Sequence, residues 1–193
     1  MTKNPLPTIL DATAGNRMIW AIKDDPRILW IDIEPELEVK PDRIMDCTKT
    51  DFPDRHFNFI IFDPPYAYGD KLGKSQDSCR NKKELDALRK NHGGLMYYGS
   101  DKVKSRTEVS TFVYRTQREF QRILKDDGLL FTKWNEVNIP LYKFLSVMND
   151  WLLMMKLEIK DSSQTAGKSQ TYWLLFLKNL ERIGKQKELS LGG

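Results

Sequence analysis

The sequence predicts an α/β sandwich on a mostly parallel sheet that closes with an antiparallel hairpin. Three observations predict it. First, four short apolar runs each lead into an aspartate: 8–10 into Asp11, 28–31 into Asp32, 43–45 into Asp46 and 57–62 into Asp63. Runs this short and this apolar suit strands buried on both faces better than helices. Second, amphipathic or loop segments separate them, as parallel crossovers require. Third, two late apolar runs have no room for a helix between them and must pair antiparallel. Polar groups at the carboxyl ends of parallel strands point into the crevice where ligands bind. Each aspartate taken singly also suits a helix cap or a turn. Four at equivalent places weigh against that for the set.

In chain order, the first two strands are expected at 8–10 and 28–31. The link 33–42 contains Pro35 and Pro41, which oppose a full helix. Strands follow at 43–45 and 57–62. The segment 67–110 is too long for a plain loop and reads as an insertion, partly helical around 82–90. A helix is predicted over 111–125, with Phe112, Phe120, Ile123 and Leu124 on one face. Asp126-Asp127-Gly128 should end it, Gly128 serving as a left-handed cap. Residues 129–134 form the next strand, and Pro140 opens a helix over 140–149. Strands at 151–159 and 171–177 make the hairpin, joined by a polar turn containing Gly167, and the tail from 178 is polar.

The chain has 193 residues, which fits one domain, 1–193, carrying a basic insertion at about 67–110. An apolar content of 40% supplies a core, and 30% charged residues exclude a membrane protein. The longest purely apolar runs, 151–155 and 172–177, are far short of a bilayer span. The first residues carry no apolar signal core. Cys47, Cys79, His56 and His92 show no metal-ligand spacing, so no metal site is expected. A reduced, cytoplasmic protein is the expectation. Net charge is +4, but residues 71–106 alone hold ten Lys/Arg and four Asp/Glu, leaving about −2 for the rest. Such a stretch on a neutral body fits a nucleic-acid contact. It fits a solvated loop equally well.

The sharpest feature is Asp63-Pro64-Pro65-Tyr66, directly after the run 57–62. A strand ended by two prolines explains the prolines but neither the aspartate nor the tyrosine. With Asp11-Ala12-Thr13-Ala14-Gly15-Asn16, this motif resembles the class I S-adenosylmethionine-dependent methyltransferases, specifically those that methylate exocyclic amino groups of bases. Within them Gly15-Asn16-Arg17-Met18-Ile19-Trp20 resembles small phage and prophage methylases, and the DNA adenine-N6 methyltransferases are the group the motif implies. The resemblance covers about residues 8–178 and implies a Rossmann-like sandwich with a seven-stranded sheet.

The chemistry accounts for these residue types. An amino group on an aromatic ring is a poor nucleophile because its lone pair is delocalised. Two acceptors can hold its N–H groups, favour a pyramidal nitrogen and free the lone pair. The Asp63 carboxylate and the Pro64 carbonyl can be those acceptors, with Pro64 and Pro65 fixing the backbone. The Tyr66 ring can stack on a base flipped out of its helix.

The resemblance also implies the cofactor site, for S-adenosylmethionine. The turn Asp11, Ala12, Thr13, Ala14, Gly15, Asn16 takes the methionine half. Arg17 stands where a second glycine is usual and is a candidate partner for the cofactor carboxylate; a surface arginine at a helix start is the alternative. Asp32 is placed to accept the ribose hydroxyls, with Glu34 in reserve. Asp46 and the neighbouring Cys47 N–H are placed at the adenine. Cys47 itself reads as a small buried residue rather than a nucleophile.

No separate recognition domain is expected after the catalytic motif, so recognition is expected to fall to the insertion or to be loose. Lys71, Lys74, Arg80, Lys82, Lys83, Arg89 and Lys90 are the candidate phosphate contacts, and Tyr97 and Tyr98 the candidate base-stacking residues. Tyrosines packed back on the body are the alternative. The reading is therefore a DNA adenine-N6 methyltransferase with DNA as partner, since aspartate heading the motif implies adenine over cytosine. An RNA methyltransferase acting on adenine N6 or guanine N2 would use the same four residues. A non-catalytic nucleic-acid-binding subunit and a small-molecule methyltransferase are further rivals, and the intact motif weighs against both.

Overall fold

In the computed structural model, which describes residues 5–65, 105–159 and 170–183, the seven apolar runs lie side by side in one sheet. The strands are β1 (Ile9–Asp11), β2 (Ile28–Asp32), β3 (Arg43–Ile44), β4 (Phe57–Phe62), β5 (Leu124–Asn135), β6 (Trp151–Ile159) and β7 (Thr171–Lys178). Their order is β3-β2-β1-β4-β5-β7-β6. The first five run parallel, and β7 lies antiparallel between β5 and β6. From β1 the chain works outward to β3, then returns to lay β4 on the other side of β1. That reversal opens a crevice between the carboxyl ends of β1 and β4, where Asp11 and Asp63 sit.

Among the described residues, two helices cover one face. α1 (Arg106–Ile123) buries Val109, Val113, Thr116, Gln117, Phe120 and Ile123, the single stripe that a 3.6-residue period makes. α2 (Leu141–Val147) adds Phe144. They pack on Leu10, Ile31, Ile60, Phe62, Leu130, Trp134, Leu174 and Phe176, the alternate residues of five strands. Each of these large side chains contributes roughly 1.5–3 kcal/mol by leaving water. On the opposite face Ile9, Ala14, Trp20, Ile28 and Trp30 cluster over β1 and β2. Phe59, Phe131 and Trp173 stack across β4, β5 and β7, with ring centroids 6.3 and 4.6 Å apart. No helix among the described residues is long and apolar enough to cross a membrane.

The boundaries differ from expectation for local reasons. α1 begins at Arg106, not 111, because the Ser105 hydroxyl accepts from the Glu108 N–H as an N-cap. It ends at Ile123, and the next residue already pairs with Phe57 of β4. Gly128 is therefore not a helix cap and has no left-handed φ; it lies inside β5. Between Phe57/Leu124 and Phe59/Leu129 β4 advances two residues and β5 five, so 125–128 bulge outward. The bulge folds Gly128 onto Leu124 and is held by the buried Lys178 ammonium, which donates to the Leu124 carbonyl and, at 3.2 Å, to Asp126. As expected, 33–42 forms no helix, and 12–27 forms turns as well.

A Cβ on Gly128 would stand 2.7 Å from Leu124 Cγ and Cδ1 and 3.1 Å from the Asn58 carbonyl. Gly128→Ala is expected to lose about 1–3 kcal/mol through this overpacking. Thermal unfolding followed by circular dichroism should show a Tm lower by several degrees.

Candidate active site

The turn after β1 is bonded to the strands on both sides of it. Ala12 N–H donates to the Ile61 carbonyl at 2.9 Å, and Ala14 N–H to the Ile31 carbonyl at 3.0 Å. The Thr13 hydroxyl accepts from Asp63 N–H at 2.8 Å, and Gly15 N–H donates to Asp32 Oδ2 at 2.8 Å. Gly15 has φ 48°, in the left-handed region that glycine enters without strain. The residues expected at a methionine-binding turn and the aspartates ending β2 and β4 thus form one bonded unit.

Asp11, Asp32 and Asp63 are all buried at these strand ends. Burial pushes the Asp11 carboxyl up to about 7, against hydrogen bonds from Trp20 and Thr13; the charges of Asp63 and Asp32 push the same way. Trp20 Nε1–H donates to Asp11 Oδ2 at 2.6 Å. Burial likewise raises Asp32 above the usual carboxylate range, opposed by backbone N–H groups of Glu34, Gly15 and Ile33. It raises Asp63 too, opposed by Lys133.

Lys133 is the residue that sequence reasoning missed. Its Nζ stands 2.9 Å from Asp63 Oδ2, with side chains 17% and 8% exposed respectively. The other oxygen, Asp63 Oδ1, is buried with no hydrogen-bond partner among the described residues. The signal was available. Phe62 pairs with Thr132 in the parallel register, so the next residues along, Asp63 and Lys133, come side by side.

Other expected site residues have varied surroundings. Asp46 is exposed two residues beyond β3, and its carboxylate accepts from the Thr48 N–H at 2.8 Å. The Cys47 thiol is buried 3.9 Å from Thr116 Oγ1 and is pushed up to about 12 by burial, which makes it inert. Asn16 Oδ1 accepts from the Val39 N–H. Arg17 does not stand at a helix start. It sits in a turn at φ 54°, buried, with its guanidinium 3.8 Å over the Trp30 ring. The guanidinium donates to the Lys23 and Lys40 carbonyls and pairs with Asp42 at 3.6 Å. Asn16 and Arg17 therefore clamp 12–27 to 33–42. Pro64 is buried and Pro65 half-buried beside Asp63. Tyr66, Lys71, Lys74, Arg80, Lys82, Lys83, Arg89, Lys90, Tyr97 and Tyr98 lie outside the described residues.

No family model matches the sequence, and no curated protein matches it. Solved structures do. The PH0226 protein from Pyrococcus horikoshii OT3 superposes with TM-score 0.52 at 10% identity, over 88% of this chain and 81% of that one. The N-methyltransferase NodS from Bradyrhizobium japonicum WM9 gives 0.50 at 10%, over 88% and 84%. Geranyl diphosphate C-methyltransferase from Streptomyces coelicolor A3(2) gives 0.50 at 11%, over 90% and 72%. At such identities the likeness is one of fold: the chain has the Rossmann-like methyltransferase fold, with the antiparallel strand expected at its end.

Asp11 binds its proton more tightly in the fold than in the open chain, about 7 against 3.8. The stability it contributes is fully present below about pH 4 and is lost as pH rises through about 7. Urea unfolding of wild type and Asp11→Asn should therefore differ in pH dependence across that window. The wild type should lose stability toward neutrality more steeply than the asparagine variant, which cannot ionise there.

Proposed function

We propose that this chain transfers a methyl group from S-adenosylmethionine to the exocyclic amino nitrogen of a nucleic-acid base, adenine N6 in DNA foremost. The observation that carries the reading is Asp63 Oδ1. It is a buried acceptor with no partner among the described residues, at the carboxyl end of β4, at the head of a two-proline turn. Burying an acceptor without a hydrogen bond is costly. A substrate N–H that arrives only on binding relieves that cost. A second acceptor, the Pro64 carbonyl, follows immediately, so both hydrogens of one amino group can be held. The methyltransferase fold supports the general chemistry, and Asp63-Pro64-Pro65-Tyr66 supports the base amino group over the small molecules that some proteins of this fold take.

The strand ends fit the cofactor. Asp32 Oδ1 accepts from the Glu34 N–H and Oδ2 from the Gly15 N–H, with the Ile33 N–H a further donor; of the carboxylate's roughly four acceptor sites this leaves capacity for a ribose hydroxyl. The tight turn 11–16 suits the methionine half, and Asp46 with the Cys47 N–H the adenine. Arg17 is left out of this set because its guanidinium is engaged elsewhere. When bound, the cofactor supplies an electrophilic methyl on a sulfonium, whose positive charge suits three buried carboxylates. Asp63 and Pro64 hold the amino group so that its lone pair points outward. Burial keeps competing water away from Asp63. A paired base must first leave its stack to reach this depth. Tyr66 is assigned to stack on it, and the basic residues Lys71 to Lys90 with Tyr97 and Tyr98 to the nucleic-acid strand.

Incubation with labelled cofactor and DNA or RNA, followed by nucleoside analysis, tests the reading. The expected product is N6-methyladenine in DNA; label only in RNA would move the substrate to that class, and label in neither would overturn the proposal. Asp63→Ala should retain cofactor binding while the rate falls roughly 10²–10³-fold, the usual cost of one preorganised polar group. Asp32→Ala should instead weaken cofactor binding, measured by calorimetry, by about 1.5–3 kcal/mol for a charged hydrogen-bond acceptor. Unchanged affinity would shift the ribose role to Glu34.

A further inference from the structure

The ion pair between Lys133 and Asp63 has features that a stabilising contact alone does not explain. A buried pair returns little net stability, because both ions lose their hydration. This one joins the residue just after β4 to a residue near the carboxyl end of β5, at the crevice, rather than two residues in the middle of the sheet. It also occupies only one carboxylate oxygen. Oδ2 takes the ammonium while Oδ1, on the same carboxylate, has no partner among the described residues.

The surroundings make Lys133 rigid. Its register partner on β7 is Trp173, whose ring is stacked on Phe131 at 4.6 Å and 14°. Phe131 precedes Lys133 by two residues and so shares its face of β5. The lysine stem therefore lies beside aromatic rings, and its head reaches the crevice. Among the described residues, the charged groups acting on Asp63 are Asp11 and Lys133. Asp11 on β1 interacts with it unfavourably, and Asp32 at the end of β2 acts on Asp11 in turn. Lys133 on β5 is the cation opposing them.

We propose that Lys133 is a positioning residue for amino-group methylation: it keeps Asp63 ionised and turned so that Oδ1 is presented as an acceptor. This rests on the amino-methyltransferase reading above. The reason is the direction of the substrate hydrogen bond. An amino group offers N–H donors, and only an unprotonated oxygen can receive one without competing with its own proton. Burial and the neighbouring carboxylates both favour the protonated acid, whose O–H would face the substrate N–H, donor against donor. One ammonium on Oδ2 opposes protonation and fixes the carboxylate plane at the same time. Lysine serves better here than arginine would, since a forked guanidinium could engage both oxygens and leave none for substrate.

The test reads Asp63 directly. Carbon-13 NMR of aspartate-labelled protein, with Asp63→Asn identifying the signal, gives the carboxyl midpoint without any substrate. In Lys133→Met the midpoint should rise by roughly 1–3 pH units, the usual effect of losing a close opposite charge. Lys133→Gln keeps a hydrogen-bond donor without the charge, should show the same rise, and carries the test if the methionine variant does not fold. Lys133→Arg should return the midpoint near wild type yet leave kcat low. In methyl-transfer assays the acid limb of the kcat profile of Lys133→Gln should move to higher pH by the same amount, with cofactor affinity unchanged. A midpoint that stays put in both uncharged variants overturns the inference. If the midpoint moves but the wild type methylates no nucleic acid, the functional reading has failed and the charge coupling has not. A moved midpoint with an unmoved acid limb overturns the catalytic use of the coupling.

Discussion

One six-residue turn holds the crevice together. Its backbone and one hydroxyl bond alternately to the two strands flanking β1: Ala12 and Thr13 to β4 and the residue after it, Ala14 and Gly15 to β2 and its last residue. The alternation is possible because β1 is central, with β2 on one side and β4 on the other. It explains the small residues. A turn that must bring four consecutive residues within hydrogen-bond distance of neighbours on both sides has no room for bulk. It also explains how three carboxylates remain buried within one another's field. Asp32 and Asp63 are anchored by the turn itself, and Asp11 by the Trp20 indole lying over it. Much of the desolvation cost is offset by hydrogen bonds to backbone and side chain.

Much of this was legible because it follows from local pattern. Short apolar runs ending in aspartate gave strand positions and the crevice end of each, since a parallel strand buried on both faces has few other sequences. The proline-bearing link 33–42 and the closing hairpin were legible for the same reason: proline and connection length are local facts. What was hidden depends on contacts distant in sequence. Gly128 looked like a helix cap because a helix and a glycine stood in the usual order; its real constraint is the Leu124 side chain and the Asn58 carbonyl, which no window around 128 contains. Arg17 looked available because a charged residue beside a ligand turn usually is. Its partners, Trp30, Lys40 and Asp42, come from the next strand and loop.

Lys133 lies between these cases. Nothing near it in sequence marks it, since a lysine in Phe131-Thr132-Lys133-Trp134 reads as the polar face of an ordinary strand. Once β4 and β5 are taken as parallel neighbours, however, the register of two apolar runs sets the residue after one beside a residue in the other. Pairing charged residues across predicted adjacent strands would have found it. The alternation of each strand supplies the face, and only the register must be guessed.

The reversed strand β7 completes this arrangement. In a purely parallel sheet the neighbour of β5 would have its own carboxyl end at the crevice. Here β7 runs the other way, and its first residues, Thr171 to Trp173, stand against Asn135 to Lys133. The carboxyl end of β5 is thereby flanked on both sides, by Asp63 beyond β4 and by Trp173 on β7. A lysine at an uncovered sheet edge would extend into water and pair weakly. Between an aromatic ring and a buried carboxylate its stem is packed and its charge is screened little. The antiparallel hairpin that ends the fold is thus also what packs one lysine on β5 against the aspartate that follows β4.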